Sequence, residues 1–156
     1  KLKFDEARDM LLEFITSNPK DSQAINLYLE CLIELKQYDE VDSFIQSLEK
    51  ETQNKDEIKQ IIKKMEIIKN NQSGPTIQEL INKLNQNPED INLVLEIADK
   101  HFSMQNYEDS MNLLLKNYPK NKDKVKDKMV EFFSVLGDSD EHTIKYRKKL
   151  SQVMFS

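Results

Sequence analysis

Apolar residues recur at three- and four-residue steps along almost the whole chain, the spacing that lines one face of a helix. Residues 2–17 carry Phe4, Ala7, Leu11, Phe14 and Ile15 in that register. Pro19 ends this helix, because the residue before a proline is pushed out of the helical region. Asp21 or Ser22 then stands where an N-cap is needed, ahead of a helix to about Lys36 with Ile25, Tyr28, Leu29, Leu32 and Leu35 inward. A short Gln37-Tyr38-Asp39 link leads into a partner helix to about Lys50, with Val41, Phe44, Ile45 and Leu48 facing inward. Links this short force paired helices antiparallel. Residues 54–70 continue the pattern with Ile58, Ile61, Ile62, Met65 and Ile68, placing Lys59, Lys63 and Lys64 on the opposite side.

Asn70-Asn71-Gln72-Ser73-Gly74-Pro75 is the one clear break, polar and carrying both residues that punctuate helices most strongly. It divides a single domain, 1–156, into halves 1–70 and 75–156. Thr76 with Glu79 three residues later is a capping box, so a helix starts there and ends at Pro88. Helices over about 90–104 and 107–118 follow, the second with Met111, Leu113, Leu114 and Leu115. The next, 122–136, turns Val125, Met129, Phe132, Phe133 and Leu136 inward, and Gly137 is placed for a left-handed C-terminal cap. In the last helix, 141–154, Ile144, Leu150 and Val153 are expected to cover the terminal apolar face, with Lys145, Arg147, Lys148 and Lys149 outward.

The two halves repeat each other. Asn18-Pro19-Lys20-Asp21 matches Asn87-Pro88-Glu89-Asp90, and Tyr38-Asp39-Glu40 matches Tyr107-Glu108-Asp109, each pair offset by 69 positions (19 to 88, 38 to 107). Ala7 to Val41 and Leu11 to Ile45 are separations of 34. That spacing is the tetratricopeptide period, and 69 is about twice it. The expected fold is therefore all-α: a tetratricopeptide-like array of helical hairpins, an α-solenoid of about nine helices. Such arrays bind proteins far more often than they catalyse.

Composition agrees. With 156 residues, 38% hydrophobic, 33% charged and two Gly, the chain suits one helical domain that buries roughly 70% of its unfolded surface. No apolar run is long enough to span a membrane and no signal peptide is visible, so a cytoplasmic protein with no membrane partner is expected. The chain opens at Lys1 rather than Met, which leads to the expectation of a longer parent. A net charge of −5 disfavours nucleic acid. The C-terminal stretch is nevertheless basic: ten Lys/Arg against six acids from Lys116 to Ser156, either a solvated rim or a docking face for an acidic protein.

Catalytic chemistry is sparse. Cys31 has no second thiol to pair with and reads as a buried structural residue. His101 falls at a packing position and His142 in an exposed first turn. Two isolated glycines cannot build a phosphate loop, and His or Cys pairs at metal-ligand spacing are absent. Neither a cofactor nor a metal is expected, and no enzyme. The Asp39-Glu40 and Glu108-Asp109 pairs complement helix dipoles rather than forming an acid–base site. Binding candidates are the non-core positions on the first helix of each hairpin, which lines the concave side of a solenoid: Asn26, Glu30, Glu34, Asn92, Glu96 and Lys100.

Leu136-Gly137-Asp138-Ser139-Asp140 followed by Lys145-Tyr146-Arg147-Lys148-Lys149-Leu150 resembles the ending of the tetratricopeptide tail of bacterial thioredoxin-like co-chaperones, the co-chaperedoxins. Asn106-Tyr107-Glu108-Asp109-Ser110-Met111-Asn112-Leu113-Leu114 is similar to that family's Asn-x-Glu-x-Ala-x-x-Leu-Leu element, and weaker similarity reaches Phe4. The resemblance implies a thioredoxin domain preceding Lys1, with no Cys-x-x-Cys in the present residues. It implies an ATP-independent holdase that protects unfolded or oxidation-damaged clients and passes them to the chaperonin or the Hsp70 machine. By the same resemblance Lys145, Tyr146, Arg147, Lys148 and Leu150 form a candidate chaperonin dock. The alternatives are a plain tetratricopeptide scaffold in a dedicated complex, or the targeting tail of an enzyme whose catalytic part lies elsewhere.

Overall fold

Ten α-helices and one 3-10 turn carry the described residues of the computed structural model, which are residues 2–156, with side chains from Lys3 onward. They are α1 (Leu2–Ser17), α2 (Ser22–Glu34), α3 (Tyr38–Ser47), α4 (Lys50–Gln53), α5 (Asp56–Asn70), α6 (Ile77–Gln86), α7 (Ile91–Ser103), α8 (Tyr107–Asn117), the 3-10 turn Tyr118–Lys120, α9 (Lys122–Leu136) and α10 (Glu141–Met154). No strand occurs among these residues, so the all-helical expectation holds. The chain divides into two compact units, Lys1–Met65 and Glu66–Ser156, and the division falls inside α5.

The repeat seen in the letters is also a repeat of caps. Asp21 accepts from the backbone N–H of Gln23 (3.1 Å) and Ala24 (3.0 Å), and Asp90 does the same for Asn92 (2.9 Å) and Leu93 (3.4 Å). Each satisfies helix amides that have no partner within the helix. The helices so started, α2 and α7, end alike. Gln37 N–H donates to the Leu32 carbonyl and Lys36 N–H to Ile33, while Asn106 N–H donates to His101 and Gln105 N–H to Phe102, all at 2.9 Å. Both are Schellman closures, which need a left-handed residue after the helix.

In the first unit the core gathers around α2, where Ile25, Leu29, Leu32 and Ile33 are inaccessible to solvent, with Val41 from α3 and Ile58 from α5. Three expectations are corrected here. Of the apolar face assigned to α1 only Ile15 is buried, whereas Phe4 and Phe14 remain 42% and 48% exposed. The helix expected to run to Lys50 breaks at Leu48, whose ψ of 146° is extended; Glu49 restarts it as the short α4, the additional helix. Lys64, expected on the outer side of α5, is 6% exposed because Glu30 on α2 receives its ammonium at 2.6 Å.

The second unit builds one contiguous core from α7, α8, α9 and α10. Phe102 and Phe132 stack at 4.0 Å between ring centroids, and Val94, Met111, Leu114 and Met129 close around them. Thr76 and Glu79 form the expected capping box, with Glu79 N–H on the Thr76 hydroxyl at 3.2 Å and Thr76 N–H on the Glu79 carboxylate at 2.7 Å. Gly137 does end α9 at positive φ (92°), but its ψ of 160° is the extended, glycine-only region rather than a left-handed cap. The segment before Thr76 is held by the Lys100 ammonium, 3.0 Å from the carbonyls of both Asn71 and Ser73.

Candidate protein-interaction site

α10 is started by Asp140, which accepts from His142 N–H (2.8 Å) and Thr143 N–H (3.2 Å). Its inner face is Thr143, Tyr146 and Leu150, all buried. The Tyr146 hydroxyl donates to the Asn112 side-chain oxygen at 2.9 Å, tying α10 to α8. Tyr146 and Leu150 are thus anchors of the helix rather than members of an exposed dock. The expected covering residues are corrected too: Ile144 is 60% and Val153 37% exposed, because α10 turns its 143–146–150 edge to the core. His142, expected in the open, is half-buried against the Tyr107 ring at 5.3 Å.

Lys145, Arg147 and Lys148 remain at the surface. Lys145 pairs with Glu108; the hydrogen bond between them holds the Glu108 carboxyl below the usual carboxylate range and pushes the Lys145 ammonium up. Arg147 meets Asp138 at 2.6 Å and lies over the Phe133 ring at 5.6 Å. Lys148 makes no ion pair among the described residues and points its charge at solvent. Lys149 rests over the Tyr146 ring at 4.8 Å. A cationic face is therefore fixed on a helix whose opposite side is locked into the core.

The six positions assigned to the first helices fare unequally. Lys100 is buried on the linker carbonyls, so it lines no groove. Glu30 is engaged by Lys64, and Asn92 accepts from Lys124 at 2.9 Å. Asn26 is half-buried, and Glu34 and Glu96 are exposed. In the second unit Asp99 meets Lys128 at 3.0 Å, and Glu131 lies 2.9 Å from the same ammonium. Burial raises the Asp99 carboxyl against the pull of Lys128; burial also opposes the Lys128 charge, but Glu131 and Asp99 outweigh it and hold that ammonium above its ordinary value. Glu30 and Asp99 are 69 positions apart, and each takes a lysine from a later helix (α5, α9). That pairing was missed, although the acid at a repeat-equivalent position was the available signal.

Cys31 is buried, and burial with the nearby Glu30 and Glu34 raises its thiol pKa, which keeps it a poor nucleophile. Sequence reasoning also missed a pair of hollows on the first unit that share Phe44 and Ser47. One, about 420 Å³, is lined by Tyr28, Asp39, Glu40, Ser43, Phe44 and Ser47. The other, about 370 Å³, lies between Leu12, Ile15 and Pro19 on one side and Phe44 and Leu48 on the other.

Repeated hairpins, equivalent caps and equivalent cross-helix ion pairs define a helical-repeat protein. A family model described as tetratricopeptide repeat matches residues 70–155, and the chain belongs to that family. A crystal structure of a domain of a Vibrio parahaemolyticus protein of unknown function is similar in fold: 21% sequence identity, TM-score 0.51, covering 96% of this chain and 98% of that one. No curated protein matches the chain. Among the described residues no helix is long and apolar enough to cross a membrane. The class to which the fold assigns the chain is a protein–protein interaction module.

Proposed function

We propose that the chain is the partner-recruiting part of a thioredoxin-like co-chaperone, a non-catalytic cytoplasmic module that holds unfolded clients and docks the chaperonin through α10. The observation that carries this reading is the division of labour on α10. Thr143, Tyr146 and Leu150 lock one face to the core, while Arg147 and Lys148 present charge on the other. A rigid helix with an outward cationic stripe sets partner choice by charge complementarity at little ordering cost. The similarity of 136–150 to the co-chaperedoxin ending supports the same assignment.

The test is a pull-down of purified chaperonin by the chain. Lys148→Glu with Arg147→Glu abolishes capture, whereas Lys122→Glu with Lys126→Glu, the same charge change on the exposed side of α9, leaves it intact. Equal capture by both variants overturns the docking role of α10. Suppression of client aggregation by the purified chain separates a holdase from a scaffold, which captures one partner stoichiometrically and leaves aggregation unchanged.

A further inference from the structure

The outer face of α10 is more than basic. At 100° per residue, Ile144, Arg147, Lys148 and Ser151 fall within one stripe on the side away from Tyr146, and Phe155, the C-cap residue, extends it. Phe155 is 86% and Ile144 60% exposed, so the stripe is apolar at both ends and cationic between. The two hollows on the first unit form its counterpart. They run side by side along α3 and share Phe44 and Ser47, with Asp39 and Glu40 at one end and Leu12, Pro19 and Leu48 at the other. The α3 positions between those ends, Ser43 and Ser47, are small. Their hydroxyls are already satisfied by the carbonyls of Asp39 (2.9 Å) and Phe44 (2.7 Å), so a helix approaching closely strands no donor.

The dimensions agree. Lys148 and Phe155 are separated by about 10 Å of helix, and Asp39 and Ser47 by about 12 Å. Phe155 laid in the hollow beside Leu12, Pro19 and Leu48 brings Arg147 and Lys148 against Asp39 and Glu40. Charge favours the pairing over a longer range as well: residues 1–49 hold five Lys/Arg against eleven acids, whereas residues 116–156 hold ten against six.

We infer that the chain associates with a second copy of itself, the α10 stripe of one molecule (Ile144, Arg147, Lys148, Phe155) lying in the α3 trough of the other (Asp39, Glu40, Phe44, Leu48). The contact joins two different surfaces, so an open assembly keeps one free trough and one free stripe, at opposite ends, unless rotation closes a ring. Because the stripe overlaps the face assigned above to the chaperonin, self-association withholds that face. The inference itself does not depend on the chaperonin reading.

Sedimentation equilibrium of the purified chain tests it. The mass average rises with protein concentration at about 50 mM salt and returns to the monomer at about 500 mM. Asp39→Lys with Glu40→Lys, and separately Lys148→Glu with Phe155→Ser, each give a monomer with the wild-type circular dichroism; the first melts lower because Asp39 and Glu40 favour the start of α3, and the second keeps the wild-type melting temperature. Mixing the two variants restores a one-to-one dimer, since one supplies an intact stripe and the other an intact trough. A wild-type chain that stays monomeric at low salt, variants that associate as the wild type does, or a mixture that stays monomeric overturns the inference. Failure of the Asp39→Lys, Glu40→Lys monomer, whose α10 stripe is intact and free, to capture chaperonin counts against the proposed function alone.

Discussion

Lys36 and Gln105 stand 69 positions apart and share one backbone conformation, with φ of 61° at the first and 63° at the second. Neither is the glycine that a left-handed residue after a helix favours, and side chains there cost about 1–2 kcal/mol per residue. Both are retained because the Schellman closure turns the chain straight into the next helix. Lys36→Gly and Gln105→Gly are each predicted to stabilise by about 0.5–1 kcal/mol, additively, in urea unfolding. Destabilisation by either change contradicts the equivalence of the two turns.

The Glu30–Lys64 pair predicts an asymmetry between its partners. The Lys64 side chain is 7% exposed and Glu30 35%, so removing the carboxylate takes a 2.6 Å hydrogen bond from a desolvated ammonium, while removing the lysine leaves an acid that water still reaches. Glu30→Gln is predicted to cost about 1–3 kcal/mol and Lys64→Met less than about 1 kcal/mol, by chemical denaturation. Equal losses would show that the buried charge does not dominate.

Anchoring of α10 is separable from its outer face. Tyr146→Phe removes only the hydroxyl bonded to Asn112 and is predicted to cost about 1 kcal/mol. Leu150→Ala opens a core cavity and is predicted to cost about 2–5 kcal/mol, whereas Lys148→Ala stays within about 0.5 kcal/mol. Thermal unfolding of the three variants checks that order.

Acid should weaken the start of α6. Thr76 backbone and side-chain hydrogen bonds hold the Glu79 carboxyl below the usual glutamate range. A depressed carboxyl stabilises the folded state above its ordinary pKa, and that contribution is lost as pH falls through the folded value. The stability difference between wild type and Glu79→Gln is therefore predicted to be largest near pH 7 and to vanish in the acid range below about 4. A pH-independent difference would remove the capping box as its source.

Lys100 fastens the segment before Thr76 by two main-chain carbonyls. Lys100→Met is predicted to speed limited proteolysis between residues 70 and 76 several-fold while leaving cleavage elsewhere unchanged. Unaltered cleavage would mean that the segment is held by other contacts.

The hairpins were legible because their signals are local: Asp21 and Asp90 ahead of apolar ladders, Thr76 with Glu79, and prolines at 19 and 88. Burial was less legible. Ile144 and Tyr146 differ by two positions, or 200° on a helix, and periodicity alone does not say which neighbouring register meets the core. The letters place Lys64 on the outer side of its helix and Lys100 in a binding groove because charge usually meets water; each is buried by a partner distant in sequence, Glu30 at a separation of 34 and Asn71 at 29. The trough along α3 depends on the break at Leu48, where no glycine or proline marks the end. The cationic residues of α10 were visible, but which of them face outward is a property of the packed helix.

Backbone amide hydrogen exchange of the chain, alone and with saturating purified chaperonin, tests the docking assignment most directly. Slowed exchange is expected only in α10, residues 141–154, with α2 and α7 unchanged. No protection on α10, or protection located on the first helices of the hairpins instead, would contradict it.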